Sequence, residues 1–428
     1  MSQVPYLYEG IKPCLMAWRM TQKSGGSVMS LFHFEFRKLL LNKRTIGLLV
    51  GLFILYSLMG FMTSLFLIGS GKSYRVYEEL AAGYEGTIDE GKAVWAKKVY
   101  EEVSARYGTD SRMIARSIKD QPETMLAIKY NEFTERVDEY WNGTPPESTD
   151  EFYGIALLES KLAELEMQGK QNTFAYTKLS DSLKRLTALG EPKFANILLW
   201  ENLFVNWGEH MMQFLLFIPL TFIIAPVFAV ERSTGMDHLI LSSRSGRRKI
   251  VTAKLLSILA ASVTVTLIYV EATFIFGFLP HASLHGWNAA IQSVPTYAKS
   301  MFGFQTWQLA VVGAVWIIFT GAVYSLIIGF ISSQMKSQMG TAGVSLAILF
   351  INVGLAAMGD AVTQRFQPLI DFGLANVTLI KEVFGGFKRF HVFGMCVSYP
   401  VMAVFVLGLT VALAGFGIYR GQKNRTVI

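Results

Sequence analysis

The sequence predicts an all-α polytopic membrane protein with six transmembrane helices and a mostly helical extracytoplasmic domain between the first and second spans. Two observations on composition support this fold class. Of the 428 residues, 52% are hydrophobic and only 17% are charged, which is too little charge to cover a soluble protein of this length. The third observation is a set of apolar runs, each close to the roughly 20 residues with which a helix crosses a bilayer.

Six apolar runs are separated by polar or basic segments. The predicted spans cover residues 46–68, 211–230, 251–279, 307–331, 340–358 and 392–419. Lys and Arg flank these runs on alternate sides, and loops rich in these residues stay in the cytoplasm. We therefore expect a multi-pass protein of the plasma membrane with both termini inside, including the basic tail 420–428.

The first 28 residues differ from the rest of the chain, because they hold two prolines and a glycine pair without sustained periodicity. Met29 opens a new pattern, and we interpret it as the native start of translation. The alternative is that residues 1–28 form a disordered cytoplasmic tail. Residues 29–45 then predict an amphipathic helix that lies in the membrane interface, with its cations among the headgroups.

Residues 69–210 form a long polar segment, which predicts a separate extracytoplasmic domain. Apolar residues recur at spacings of three and four from Ile155 to Leu165, and again from Tyr176 to Leu186. This pattern predicts an antiparallel helical hairpin with a narrow apolar seam. Such stripes are more typical of helix packing than of a ligand site.

Residues 359–391 mix apolar and charged side chains around a glycine pair. The segment is too polar to cross a bilayer and too apolar for an ordinary loop. We expect two short re-entrant helices that dip into the outer leaflet, with their backbone ends shielded by protein.

A basic loop, residues 231–250, separates the second and third spans. Met236, Leu239 and Ile240 share one face at helical spacing, which indicates a short amphipathic helix presented to the cytoplasm. On periodicity alone, a charged loop that only fixes the topology is the better explanation. Pro219 and Pro226 precede the loop and are expected to kink the second span.

Glu271 is the one acid well inside a predicted span. A charge near the bilayer centre costs about 2.5–3.5 kcal/mol on insertion scales, so such a residue usually faces a bundle interior or a wet cavity. Glu271 is therefore a candidate for the lining of a substrate path. An equally good alternative is that it lies near the outer end of the third span and reaches water. Lys254, in the same span, is expected to extend to the inner membrane surface.

Other chemistry is weakly represented. Cys14 and Cys396 belong to different environments, so we expect neither a disulfide nor a cysteine-based metal site. Glu209 and nearby histidines lack the spacing of a zinc site. We find no signature of a nucleic-acid-binding module, a nucleotide-binding fold or a catalytic constellation, and therefore expect no cofactor, no nucleic-acid partner and no enzymatic activity in this chain.

The basic loop resembles that of the permease subunits of bacterial type-2 ABC exporters. Their loop commonly reads Glu-(Arg/Lys)-x-x-Gly-Thr, then Leu-x-x-Ser, a Pro, basic residues and a Lys that enters the next span. The matching residues here are Glu231-Arg232-Ser-Thr-Gly235, Leu239 to Ser243, Arg247-Arg248 and Lys254. Met236 replaces the usual Thr, and Ser245-Gly246 stands where Pro is common.

The resemblance implies a six-helix permease with a coupling helix in the basic loop and re-entrant helices between the fifth and sixth spans. It implies that a separate cytoplasmic ATP-binding subunit docks on the loop and that a second permease, identical or not, completes the pathway. The coupling residues that it assigns are Glu231, Arg232, Gly235, Leu239, Arg244, Arg247, Arg248 and Lys249. The expected cargo is amphipathic or hydrophobic, and the expected direction is export.

A different class of function stays open. A sensor or scaffold would use the same spans as an anchor and would bind a ligand or a partner through its extracytoplasmic helical domain. A secondary transporter is less well supported, because we find no clear inverted repeats or paired midplane charges.

Overall fold

A computed structural model of the chain describes residues 28–108, 121–140, 154–236, 246–356, 366–367, 369–386, 388–392 and 395–423. Within these residues, six helices are long and apolar enough to cross a membrane. The protein is thus an α-helical, multi-pass membrane protein, as the sequence predicts. Residues 1–27 of the predicted extension 1–28, the middle of the basic loop at 237–245, and residues 424–428 of the predicted tail lie outside the described residues.

The helices follow one another along the chain with few strands between them. In chain order they are α1 (Val28–Leu40), α2 (Lys43–Ile68), α3 (Gly71–Ala82), α4 (Glu90–Tyr107), α5 (Pro122–Tyr140), α6 (Ile155–Met167), α7 (Phe174–Leu189), α8 (Leu198–Gly208), α9 (His210–Ile224), α10 (Pro226–Ser233), α11 (Gly246–Phe278), α12 (Thr306–Gln334), α13 (Gln338–Ala356), α14 (Leu374–Val377), α15 (Ile380–Phe384) and α16 (Tyr399–Lys423). Two strands, β1 (Arg389–Val392) and β2 (Met395–Ser398), pair in antiparallel fashion before α16.

The membrane bundle is organised around α11 and α12. Helix α11 packs against α1, α2 and α12, and α12 packs against α16. In α11 and α12, 56% of the residues in the most apolar stretch are buried inside the protein. In α2, α13 and α16 this share is only 22%. Helices α2, α13 and α16 therefore present most of their apolar surface to the surroundings of the protein.

The second span is broken where the sequence places its second proline. Helix α9 ends at Ile224 and α10 begins at Pro226, because proline has no amide hydrogen to continue the helical ladder. The hydroxyl of Ser332, on α12, donates to the carbonyl of Ala225 at 2.7 Å and accepts from the amides of Phe228 and Ala229 at 3.1 Å. A side chain from a neighbouring span thus satisfies the backbone groups at the break.

The amphipathic helix at the start is shorter than predicted. Instead of one helix over 29–45, α1 ends at Leu40 and α2 begins at Lys43. Asn42 separates them because its side-chain oxygen accepts from the amide of Thr45 at 2.8 Å and so caps α2. The first span consequently carries Lys43 and Arg44 within its own first turn.

Helices α3 to α8 lie at the end of the bundle where α2 and α11 terminate. We call it the domain end. The predicted hairpin is present: α6 packs against α7, and Leu158, Leu162 and Leu186 are buried along its seam. Helix α5 packs against α3 and α4. The ring centroids of Tyr130 and Phe194 lie 4.9 Å apart. Helix α8 is buried along most of its length and packs against α2 and α11.

The segment before the last span contains the predicted short helices and an unpredicted β-hairpin. Helices α14 and α15 lie within the predicted re-entrant segment 359–391. The predicted start of the sixth span at Val392 is wrong, because residues 389–392 pair with residues 395–398 and α16 begins at Tyr399. A short apolar run fits a strand as well as a helix, and Pro400 favours a helix start at this point.

Candidate functional site

Four elements meet at the end of the bundle opposite the domain end. Helix α1 contacts α11, and the last turn of α10 lies against the C-terminus of α12. The described flanks of the basic loop, residues 231–236 and 246–250, lie at this end. We call this the basic end, since Lys38, Lys43, Arg44, Arg248 and Arg420 all lie in the elements that reach it.

Lys254 is the most deeply buried charge at the basic end, with 1% of its surface exposed. Its ammonium nitrogen donates to Glu231 Oε1 at 2.7 Å, to the carbonyl of Val227 at 2.8 Å and to Glu35 Oε2 at 3.3 Å. These three contacts use all three donors of a lysine. The expectation that Lys254 extends to the membrane surface is therefore wrong.

Lys38 is the second cation of this group and lies 2.9 Å from Glu231 Oε1 and 3.6 Å from Glu35 Oε2. Glu231 and Glu35 are themselves buried. We call Glu35, Lys38, Glu231 and Lys254 the charge cluster. Its two positive and two negative charges balance, which is what makes burial of ions tolerable, because an unpaired buried charge costs several kcal/mol.

The charge cluster joins three elements that are distant in the sequence. Glu35 and Lys38 come from α1, Glu231 comes from α10, and Lys254 comes from α11. The helices that enter and leave the basic loop are thus fixed to each other and to α1. A displacement of the loop base would move all three elements together.

Arg232 attaches the same loop base to a further span. Its Nη1 donates to the carbonyl of Ser333 at 2.7 Å and to that of Met335 at 3.2 Å. These carbonyls lie at the C-terminus of α12, where a cation also interacts favourably with the helix dipole. The entry to the basic loop is therefore bonded to α11, α1 and α12.

The residues that the resemblance assigns to coupling lie in different environments. Glu231 and Arg232 bond inside the chain, so the structure does not place them on an exposed docking surface. Gly235 forms the turn after α10 with φ +69°, a conformation that glycine adopts without strain. Arg248 is exposed and Lys249 is half-buried at the start of α11. Leu239, Arg244 and the side chain of Arg247 lie outside the described residues.

Glu35 and Lys38 were not among the residues predicted from the sequence, although one signal was present. Glu35 falls four residues from both Leu31 and Leu39, so it shares the apolar face of α1 with them. All three are buried in the structure. An acid on the buried face of a basic helix indicates a buried cationic partner, which here is Lys254.

Glu271 does not face the interior of the bundle. It is exposed on α11, between Leu267 and Ile275, which are 36% and 51% exposed one turn to either side. On the opposite face of α11, the ring centroid of Tyr269 lies 5.1 Å from that of Tyr56. The carboxyl group is therefore level with the middle of α2 rather than with its end. Within the described residues it has no hydrogen-bond or ion-pair partner.

The histidines at the domain end lie in separate environments. His281 is buried, and its Nε2 lies 2.9 Å from Ser64 Oγ, which donates to the carbonyl of Gly277 at 2.7 Å. Burial lowers the pKa of His281 to about 4. His285 Nε2 lies 2.7 Å from Glu85 Oε1. In the described part of the chain, no three His, Cys, Asp or Glu side chains are grouped closely enough to hold a metal ion.

Two cavities accompany these features. One of about 470 Å³ lies at the domain end, between the polar helices and the segment around residues 288–298, with Arg136, Lys193 and Gln292 in its wall. The other, of about 230 Å³, adjoins the charge cluster between α1, the first turns of α2 and the break between α9 and α10.

Comparisons with protein-family models, with characterised proteins and with solved structures found no match for this chain. The inference about function therefore rests on the six-span bundle, the basic loop and the charge cluster.

Proposed function

We propose that this chain is the membrane-spanning permease subunit of an ABC exporter, with ATP hydrolysis supplied by a separate cytoplasmic subunit that docks on the basic loop. The observation that carries the proposal is the charge cluster. It places the ion pair of Glu231 and Lys254 at the base of the loop whose sequence resembles a coupling helix.

A loop that receives force from a partner needs stiff attachments to the spans. Glu231 and Lys254 hold the two flanks of the loop together, and Arg232 bonds α10 to the end of α12. A push on the loop would then reach the second, third and fourth spans as a rigid displacement. In this proposal Glu231 and Arg232 act as internal braces.

Direct contact with the ATP-binding subunit falls to the remaining coupling residues. Arg248 is exposed at the start of α11, and Gly235 lies in an exposed turn. With the cations Arg244, Arg247 and Lys249 and the apolar Leu239 of the same loop, they would give the partner a mainly basic sequence to bind. Such a sequence fits an acidic groove, and charges of this kind mainly guide encounter and orientation.

In this proposal the cations keep the basic end and both termini in the cytoplasm, since loops rich in Lys and Arg stay on that side. Helices α3 to α8 are extracytoplasmic in this proposal. A second permease fits the apolar surface that α2, α13 and α16 leave uncovered. A carboxyl group level with the middle of the bilayer is costly in lipid. Glu271 would therefore line a wet path for amphipathic cargo between two permeases.

A sensor or scaffold is the second candidate function, and the 470 Å³ cavity favours it. Its volume lies in the range of small-molecule sites, roughly 300–1,000 Å³. In this alternative the domain end binds a ligand or partner, and the basic end only anchors and orients the chain.

Purification of the tagged chain from its native cell in mild detergent tests the proposal. We expect a soluble partner in fixed ratio and vanadate-sensitive ATP hydrolysis in the eluate. The double variant Arg247→Glu/Arg248→Glu should lose the partner but still insert in the membrane. Arg420→Glu, at the same end but on α16, is the matched control. A lone oligomer without ATPase activity would favour the sensor or scaffold.

A further inference from the structure

The 230 Å³ cavity at the basic end has one polar side and one apolar side. The polar side includes Glu35, Lys38, Asn42 and Arg44, at the junction of α1 and α2. The apolar side includes Leu48, on α2, and Phe222, on α9. The cavity thus receives a charged group at one side and hydrocarbon at the other.

The charges around the cavity leave one cation uncompensated. Lys38 is balanced within the charge cluster, where two lysines meet two glutamates. Asn42 is occupied, since its side chain accepts from the amide of Thr45 and donates to the carbonyls of Lys38 and Leu39. Arg44 is exposed and has no hydrogen-bond or ion-pair partner among the described residues. The positive end of the α2 dipole lies at the same place.

The position of the cavity fits the boundary of a bilayer. Arg44 lies in the first turn of α2, and the apolar run of this helix begins two residues later, at Ile46. Leu48 and Phe222 are 37% and 50% exposed, so the apolar side opens towards the surrounding medium. A volume below the roughly 300 Å³ of typical ligand pockets suits part of a ligand whose remainder lies outside.

We propose that this cavity binds one anionic phospholipid, with its phosphate at Arg44 and the start of an acyl chain along Leu48 and Phe222. Arginine is suited to this task because its planar guanidinium donates two parallel hydrogen bonds to a phosphate. A second permease or a soluble anion would not match both sides of the cavity. A phospholipid does, and it is present wherever a span enters the membrane.

The site connects lipid composition to the charge cluster. Lys38 forms part of the cavity and also bonds to Glu231 at the base of the basic loop. A phosphate at Arg44 would therefore stand beside the cation that helps hold α1 to α10. This link requires only the fold described above, so it holds whether or not an ATP-binding subunit docks on the loop.

The test uses the full purified chain in mixed micelles and measures thermal unfolding and bound lipid by native mass spectrometry. Phosphatidylglycerol should stabilise the chain and remain bound, whereas phosphatidylcholine should do neither. Arg44→Gln should weaken phosphatidylglycerol binding about tenfold, as expected for a lost charge-assisted hydrogen bond. Arg420→Gln removes a charge at the same end, remote from the cavity, and should leave binding unchanged.

A second variant and two soluble probes complete the test. Leu48→Ser should also weaken phosphatidylglycerol binding, because it removes part of the apolar wall. Inorganic phosphate and glycerol phosphate should not stabilise the chain at the same concentrations. Equal losses in Arg44→Gln and Arg420→Gln would indicate attraction by net charge alone and would overturn the proposal. Equal stabilisation by glycerol phosphate would also overturn it, by showing a site for free anions.

Discussion

Lys254 Nζ lies 2.7 Å from Glu231 Oε1, and this ion pair connects the helix that enters the basic loop with the helix that leaves it. Both side chains are almost completely shielded from solvent. Because both charges are buried, neither side chain can move away without leaving its partner unpaired. The pair therefore holds the base of the loop in one orientation. Removal of either partner should therefore destabilise the basic end.

Replacement of Lys254 by Met should destabilise the protein strongly. It would leave Glu231 and Glu35 buried with Lys38 as their remaining partner, and removal of one member of a buried pair typically costs about 3–5 kcal/mol. Thermal unfolding in nanodiscs measures the loss. The double variant Lys254→Met/Glu231→Leu should recover part of it, because it removes the orphaned charge as well. Arg248→Gln, exposed on the same helix, is the control. Strictly additive losses would contradict the pairing.

Ser332→Ala should destabilise the bundle by about 1–3 kcal/mol, because it removes the hydroxyl that satisfies backbone groups at the break before Pro226. Ser262→Ala is a matched control, since Ser262 is also buried on a span but its hydroxyl has no hydrogen-bond partner in the described structure. This control should be neutral or slightly stabilising. Unfolding of both variants side by side measures the difference. Equal effects would show that the break does not depend on Ser332.

If the proposed export function holds, Glu271→Gln should impair cargo-stimulated ATP hydrolysis by the complex with the ATP-binding subunit. The chain should keep its fold, because the carboxyl group has no partner within the described residues whose loss would unfold it. Leu267→Ala, one turn away on the same exposed face, serves as the control. The paired readouts are ATPase activity and thermal stability in nanodiscs. A gain in stability near the roughly 2.5–3.5 kcal/mol insertion cost of a charge, with unchanged activity, would place Glu271 in lipid and exclude a substrate path.

His281 should make the protein less stable in mild acid. Its pKa is about 4 in the folded chain and ordinarily about 6.5, so the unfolded chain takes up the proton first as the pH falls. The contribution of neutral His281 is intact above about pH 6.5 and is lost progressively down to about pH 4. Unfolding temperatures of the wild type and His281→Gln across this window give the measurement. Parallel curves for the two proteins would refute the assignment.

Much of the fold follows from local patterns in the chain. The six spans can be predicted from the sequence, because an uncharged run of about 20 residues has few alternatives to a transmembrane helix. The hairpin of α6 and α7 is visible because its buried leucines recur at helical spacing. The irregularity at Pro226 follows from the same rule that predicted a kink there, because proline cannot donate a backbone hydrogen bond, whereas Pro219 lies within α9. Each of these features depends on residues that are close in the sequence.

The β-hairpin and the direction of Glu271 required the tertiary structure. The run from Val392 to Val397 is short and apolar, so periodicity does not separate a strand from a helix. The packing of Phe390 against Phe372 and Tyr399, with ring centroids 5.0 and 5.9 Å apart, favours the strand. The sequence likewise places Glu271 inside a span, but the neighbours of α11 decide which way it points.

The candidate site shows the same division. The sequence by itself determined that a basic loop separates two spans, that Glu231 opens it and that Lys254 comes after it. Only the tertiary structure decided that these two residues meet each other, together with Glu35 and Lys38 from a helix about 200 residues earlier in the chain. The physical reason is that a buried charge must find a partner of opposite sign, and the packing of distant helices decides which one is within reach.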